Sequence, residues 1–468
     1  MRINDQITRT ALREIIEDFA GEINNKKDLG PKPSKAVINY RREHIDGKER
    51  DVYQVPIECL RFRKDNGRIT SDIKSYEKLQ EPLLERSDNA QSVIRKLLKD
   101  KDPELTKILK NSILHSGQRD PAIITCDGFL INGNRRKLVL EELSKQKKEF
   151  QFMKVVILPG KNDPGGPPTL LEIEQIENRY QLQSEGKAEY YKFDRALSIR
   201  RKIERGMSLE EQLRDDPNYI NLPTNEFRKK LKEYEEEYLK PLDCIDRYLE
   251  YLGRDGLYNS ISKGISDREG RWQAFLDYYK YVYTKLEDDR KRMNLGIEED
   301  ESGDVEEIAF KIIRQRDFPN LPKVHKIMRD LPKWIGDKDA KKELFKLLDI
   351  DLKLSPEECF DDEGNEIDER RKDLIWNTKH RSTLINQVKK ARRLYERDKE
   401  KETPITLLED ALKKLEHENM QPDRINITDQ PRAMKLAKQI KEVANQLESE
   451  FFRCMKNVKT LKDKYSKK

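Results

Sequence analysis

The sequence predicts an α+β protein, in which a small mixed α/β segment precedes a large, mainly α-helical region. Three observations carry this. Only 35% of the 468 residues are apolar while 39% are charged, a balance suited to helices with one buried stripe and one wet face. Runs with β-type alternation are confined to residues 51–160. Ser or Thr three residues ahead of Glu recurs at Thr169/Glu172, Ser208/Glu211, Ser355/Glu358 and Thr406/Glu409. At this spacing a helix-start hydroxyl and a carboxylate satisfy each other's backbone N–H groups.

In chain order, residues 5–24 place Ile7, Leu12, Ile15, Ile16, Phe19 and Ile23 near helical spacing, which predicts a first helix, an appendage followed by the polar loop NNKKDLGPKPSK. VYQVPIECLRF reads as a strand, with Val52, Val55, Ile57 and Leu60 among polar neighbours, ended by Asn66-Gly67. Helical patterns fill 72–114. PAIITC (121–126) and GFLING (128–133) read as two strands joined at Asp127-Gly128, residue types that tolerate a tight hairpin turn. A helix begins near Asn134, and FMKVVILPG (152–160) is a further strand, closed by PGKNDPGGPPT. From Thr169 onward the pattern is helical, with a break at Gly253 and Gly256, a solvated linker at 296–307, a turn at 360–368 and a last helix over 431–466. The expected domains are a helical extension (1–50), the α/β domain (51–160), a first helical region (161–255), a second (256–400) and C-terminal helices (401–468). The apolar stripe of the last helix, Met434, Leu436, Ile440, Val443, Leu447 and Phe451, needs burial against a second copy, a protein partner or its own chain.

Lys plus Arg number 95 against 89 acids, and a net charge of +6 does not by itself indicate nucleic acid. Cys59, Cys126, Cys244, Cys359 and Cys454 lie far apart without metal-ligand spacing and read as reduced thiols of a cytoplasmic protein. No run approaches the about 18 apolar residues of a membrane span. FDDEGNEID lacks the ligand order of a calcium loop.

The stretch GFLINGNRRKLVLEEL (128–143) stands out. A strand that ends in glycine and feeds a helix exposes the helix's unpaired N–H groups, and the missing Cβ lets an anion approach the backbone. Arg135 and Arg136 in the first turn oppose the helix dipole, an arrangement that makes sense if a polyanion neutralises them.

Three motifs in order, Gly117 with Pro121, the Asp127-Gly128 turn, and Gly133-Asn134-Arg135-Arg136, followed by IENRYQLQ (176–183), resemble the N-terminal domain of the ParB/sulfiredoxin superfamily. The likeness covers roughly residues 50–255. It implies a nucleoside triphosphate, CTP or ATP, with Mg²⁺, and a possible Mg²⁺-dependent NTPase activity. By the same resemblance Gly133, Arg135 and Arg136 would hold the triphosphate, Glu177 and Asn178 would approach metal and phosphates, and Gln118 and Arg119 would line the cleft. The chain departs from the family where Asn134 replaces a glutamate and Gln181 replaces an arginine, with Arg179 as a substitute. Hydrolysis is thereby in doubt. Sulfiredoxins carry their reactive cysteine where Asn134 stands, so the resemblance does not imply sulfinic-acid reduction here.

ParB relatives continue into a helix-turn-helix, and residues 193–253 look like a stretched version. A helix over 188–205 carries Arg195, Arg200, Arg201, Lys202 and Arg205, and FRKKLK carries Arg228, Lys229, Lys230 and Lys232. Such a basic surface would contact DNA phosphates without reading sequence. Trp272, Phe275, Tyr278, Tyr279 and Val282 have the spacing of a buried helix face rather than of a base-stacking platform. The function expected is that of a ParB-like nucleotide-binding, DNA-binding protein of plasmid maintenance, regulation or phage defence. The alternatives are a ParB-like nuclease, for which no paired-carboxylate or histidine motif stands out, and a scaffold with a vestigial nucleotide cleft.

Overall fold

The computed structural model describes residues 11–28, 34–38, 40–41, 49–182, 191–216, 218–261 and 265–465. It is mixed α/β, with a small four-stranded sheet and predominantly helical content. The chain separates into two compact units, Met1–Tyr395 and Glu396–Lys468.

In the first unit the elements are α1 (Glu17–Lys27), β1 (Ser34–Val37), β2 (Glu49–Pro56), α2 (Thr70–Leu79), α3 (Asp88–Lys101), α4 (Pro103–Ser116), β3 (Ala122–Ile124), α5 (Asn134–Ser144), β4 (Phe152–Ile157), α6 (Leu170–Leu182), α7 (Lys192–Glu204), α8 (Leu209–Arg214), α9 (Thr224–Tyr234) and α10 (Lys240–Tyr251). They continue with α11 (Ile265–Tyr278), two short helices at Thr284–Leu286 and Asp289–Asn294, α12 (Ser302–Gln315), α13 (Val324–Ile335), α14 (Lys338–Phe345) and α15 (Glu369–Leu415), which runs past the unit boundary; α16 (Gln430–Tyr465) completes the second unit.

The sheet order is β1-β2-β4-β3. β2 pairs antiparallel with β4, Val52 opposite Val156, while β3 runs parallel to β4, Ala122 opposite Val155. A parallel pair needs a crossover, and α5 supplies it. Successive residues of a strand face opposite sides, and both sides here are covered. Val55, Ala122, Ile124, Met153 and Val155 join the core formed with α3 and α5, whereas Val52, Ile123 and Val156 pack with Ile173 and Ile176 of α6. β3 and β4 are thus fixed between two apolar layers.

Several expectations need correction. The first described helix begins at Glu17, because Leu12 instead bridges to Thr169 and the Ile16 N–H donates to the Asp127 carboxylate at 3.1 Å; residues 5–10 of that expectation lie outside the described residues. Nor is this segment an appendage. Ile23 is fully buried, Arg13 bonds both Asp127 oxygens at 2.9 and 2.8 Å, and Ser34–Val37 extends the sheet. GFLING is no continuous strand, since Leu130 only bridges to Ile124 and Phe129 to Arg61. The acidic run 296–307 turns helical at Ser302, drawn in by the burial of Val305 and Ile308. Thr406 and Glu409 start no helix, because α15 passes through them. The other three capping pairs close as expected.

Trp272, Phe275, Tyr278 and Val282 are buried in the helical core with Phe310, Trp334 and Trp376. In the second unit the apolar stripe of α16 stays open, with Met434 62% and Val443 53% exposed. No helix among the described residues is long and apolar enough to cross a membrane.

Candidate functional site: a cationic cavity at the start of α5

Gly133 has φ +88°, and a Cβ there would meet the Ala122 Cβ at 2.8 Å and the Met153 Cε at 3.1 Å. Glycine therefore serves two ends, a left-handed turn and a close seat against the sheet. The turn aims the first residues of α5 into a cavity of about 740 Å³, within the size range of small-molecule sites. Gln118, Arg119, Gly133, Asn134, Arg135, Arg136, Glu177 and Asn178 all line it. Arg179, the remaining member of the expected set, is not among the lining residues and pairs with Asp215 at 3.5 Å.

The walls carry six cationic side chains, Arg68, Arg119, Arg135, Arg136, Arg195 and Lys202, against the carboxylates Asp120, Glu177 and Asp216. Arg135 bonds Asp102, a buried carboxylate that also has Arg68 at 3.8 Å. Arg136 donates to the Asp120 carbonyl and lies 3.5 Å from the Asn132 Oδ1; burial pushes its guanidinium below the usual arginine range. Arg119 is exposed, with a 3.4 Å contact to the Ser116 hydroxyl. Gln118 has a structural duty, as its amide donates to the Asp120 and Lys154 carbonyls and accepts from the Lys154 N–H.

Among the described residues, two buried polar atoms in the wall have no protein partner. They are Asn134 Oδ1, on a residue 7% exposed, and Ser198 Oγ, on a residue 1% exposed. Buried polar groups are normally hydrogen-bonded, so a ligand with both donors and acceptors would complete this wall. The apolar parts come from Leu105, Ile108, Leu109 and Leu213, and the aromatic ones from Tyr180, Tyr219 and Tyr234. Cations at a helix start together with aromatic and apolar walls suit an anionic ligand bearing a flat ring.

Opposite α5 stands an ionic lattice. Arg201 donates to Glu177 at 2.9 Å and to Glu174 at 3.2 Å, and Arg205 reaches Glu174 and, at 2.7 Å, Asp65. Burial raises Asp65, but Arg205, Arg63 and Arg201 outweigh it and hold the carboxyl well below its ordinary range. Glu174 is likewise lowered by Arg201, Arg205 and Arg63 against its burial.

The lattice overturns two expectations. The basic residues of α7 do not form a wet DNA-facing surface. Arg201 and Lys202 are 6% and 2% exposed, Arg200 is paired with Asp243 and Asp246, Arg205 is paired as above, and Arg195 donates to the Tyr234 hydroxyl. Of the remaining expected DNA contacts, Arg228 and Lys229 are exposed on α9, while Lys230 pairs with Glu233 at 2.8 Å. Glu177 and Asn178 do not fit a metal site either. The two Glu177 oxygens accept from the Gly67 N–H at 3.2 Å and from Arg201; the Asn178 carbonyl oxygen accepts from Lys202 at 3.0 Å, and its amide donates to the Gln212 carbonyl at 3.0 Å. Burial pushes the Lys202 ammonium down to about 8. Among the described residues no group of three or more His, Cys, Asp or Glu is arranged to hold a metal ion.

The residues missed from sequence are Arg68, Asn132, Tyr180, Ser198 and Tyr219. Arg195, Ser198 and Lys202 share one face of α7 at helical spacing, a signal obscured by the cations beside them. Segment 215–223 between α8 and α9 is longer than the compact turn of a helix-turn-helix. Compared with protein-family models, curated proteins and solved structures, the chain matches none.

Proposed function

We propose that the protein is a ParB-like nucleotide-binding protein that holds a nucleoside triphosphate in the cavity at the start of α5 and acts on DNA in plasmid maintenance, regulation or phage defence. One observation carries the reading: the glycine turn, the helix start, Arg135, Arg136 and the unpartnered Asn134 Oδ1 and Ser198 Oγ converge on a single cavity of nucleotide size. Arginine forks match phosphate oxygens bidentately. On binding, Arg135 would exchange the Asp102 carboxylate for a phosphate, and Arg136 would extend from the Asp120 carbonyl. DNA contact, in this reading, falls to the exposed Arg228 and Lys229 on α9.

Calorimetry with CTP, ATP and GTP on the full chain tests the proposal. Binding of at least one nucleotide, weakened on the order of tenfold by Arg135→Ala, is the expected result for loss of one charge-assisted contact. No heat from any of the three overturns it and leaves the scaffold reading.

A further inference from the structure

The family resemblance implies a divalent metal beside Glu177 and Asn178, and the geometry at those residues says otherwise. The oxygen that Asn178 would present to a metal accepts instead from the Lys202 ammonium at 3.0 Å, and both Glu177 oxygens are engaged by Gly67 and Arg201. Lys202 is 2% exposed yet lines the cavity, one face with Arg195 and Ser198. Mg²⁺ demands near-ideal octahedral oxygen coordination and one or two protein carboxylates. A cation already seated on the motif asparagine both removes a ligand and repels a second cation.

We infer that Lys202 is a built-in cation standing where the resemblance implies a metal, so that the cavity takes the polyphosphate of its ligand without magnesium. The inference rests on the nucleotide reading above. Lys202 faces Asn178, Glu177 and Arg195 within the protein, and the ligand's phosphates lie between it and the Arg135–Arg136 pair. An ammonium serves this purpose as a compact point charge with three donors, able to keep Asn178 and reach a phosphate oxygen together.

The test uses the full chain and inorganic tripolyphosphate, the chemistry shared by all nucleoside triphosphates, in calorimetry with EDTA and with excess Mg²⁺. The expected wild-type Kd in EDTA lies within about threefold of that in Mg²⁺, well under the change expected if a metal ligated both protein and phosphate. Lys202→Met, which keeps the stem and removes the charge, is expected to weaken binding in EDTA on the order of tenfold and to recover when Mg²⁺ is added, a rescue that a merely structural role would not give. Wild-type binding that appears only with Mg²⁺ overturns the inference and leaves the nucleotide reading standing. Absence of tripolyphosphate binding in both buffers overturns the inference, and the calorimetry with CTP, ATP and GTP then decides the nucleotide reading separately. Should Lys202→Met fail to fold, the wild-type comparison decides alone.

Discussion

Arg201 places one guanidinium nitrogen 2.9 Å from Glu177 and 3.2 Å from Glu174, so a single side chain of α7 holds two acids one turn apart on α6. Removing it leaves both carboxylates buried without that partner. Arg201→Met is expected to destabilise by about 3–5 kcal/mol, the range for breaking a buried ionic network by deleting one member. Urea denaturation measures this, and an unchanged midpoint with lost DNA retention would restore Arg201 as a surface contact.

Asp65 makes the same lattice sensitive to acid. Its carboxyl is depressed in the folded protein, so the unfolded chain binds more protons as the pH falls, and stability is lost in that direction. The contribution is complete above the ordinary carboxylate range and disappears as the pH drops through the depressed value. Asp65→Asn is therefore expected to cost about 3 kcal/mol at neutral pH, with the gap to wild type closing as the pH falls below about 4. Melting curves over a pH series check this; a gap independent of pH would contradict it.

Gly133→Ala tests the turn. The alanine must adopt φ +88° and push its Cβ to 2.8 Å from that of Ala122. A loss of about 2–4 kcal/mol is expected from the left-handed strain and the overpacking together. Equal stability of variant and wild type in chemical denaturation would show that the turn relaxes freely.

Asp127 is fully buried, and its carboxylate receives Arg13, the Ile16 N–H and the Thr125 hydroxyl. Asp127→Ala is expected to release residues 11–16 from the α/β core and to cost about 3 kcal/mol. Limited proteolysis followed by mass measurement should find a new early cut before Glu17, and wild-type resistance in the variant would refute the anchoring role.

Trp272 is 1% exposed, with Phe193 and Tyr238 rings at 6.1 and 6.4 Å. Trp272→Ala should cost about 3–5 kcal/mol as a core cavity. Thermal unfolding reads it; a small stability change with lost single-strand binding would favour a stacking role instead.

The glycine turn into α5 was legible in the sequence because its signal is local: a glycine, a helix start and two arginines lie within four residues. The facing wall was not. Arg200, Arg201 and Arg205 look like a solvated basic stripe until Asp65, Glu174, Glu177, Asp243 and Asp246 arrive from other elements, and nothing near them in the chain announces those partners. β1 escaped notice because four residues ending in Ala36-Val37 acquire strand character only from pairing with β2. The acidic start of α12 contained its own clue in Val305 and Ile308, spaced three apart, which outweighed the surrounding charge. Capping spacing at Thr406 misled because the same residues fit the interior of a continuing helix.

The interleaved strand order has a consequence for synthesis. β4 lies between β2 and β3, so β3 has no neighbour, and β2 none beyond β1, until the ribosome has released residue 157. Until then a nascent chain leaves the inner edge of β2 and both sides of β3 open, the kind of surface on which stray strands add. Met153, which backs Gly133, also arrives in that last segment. The pocket is consequently among the late features to mature during translation, and a pause ahead of β4 would leave it unformed.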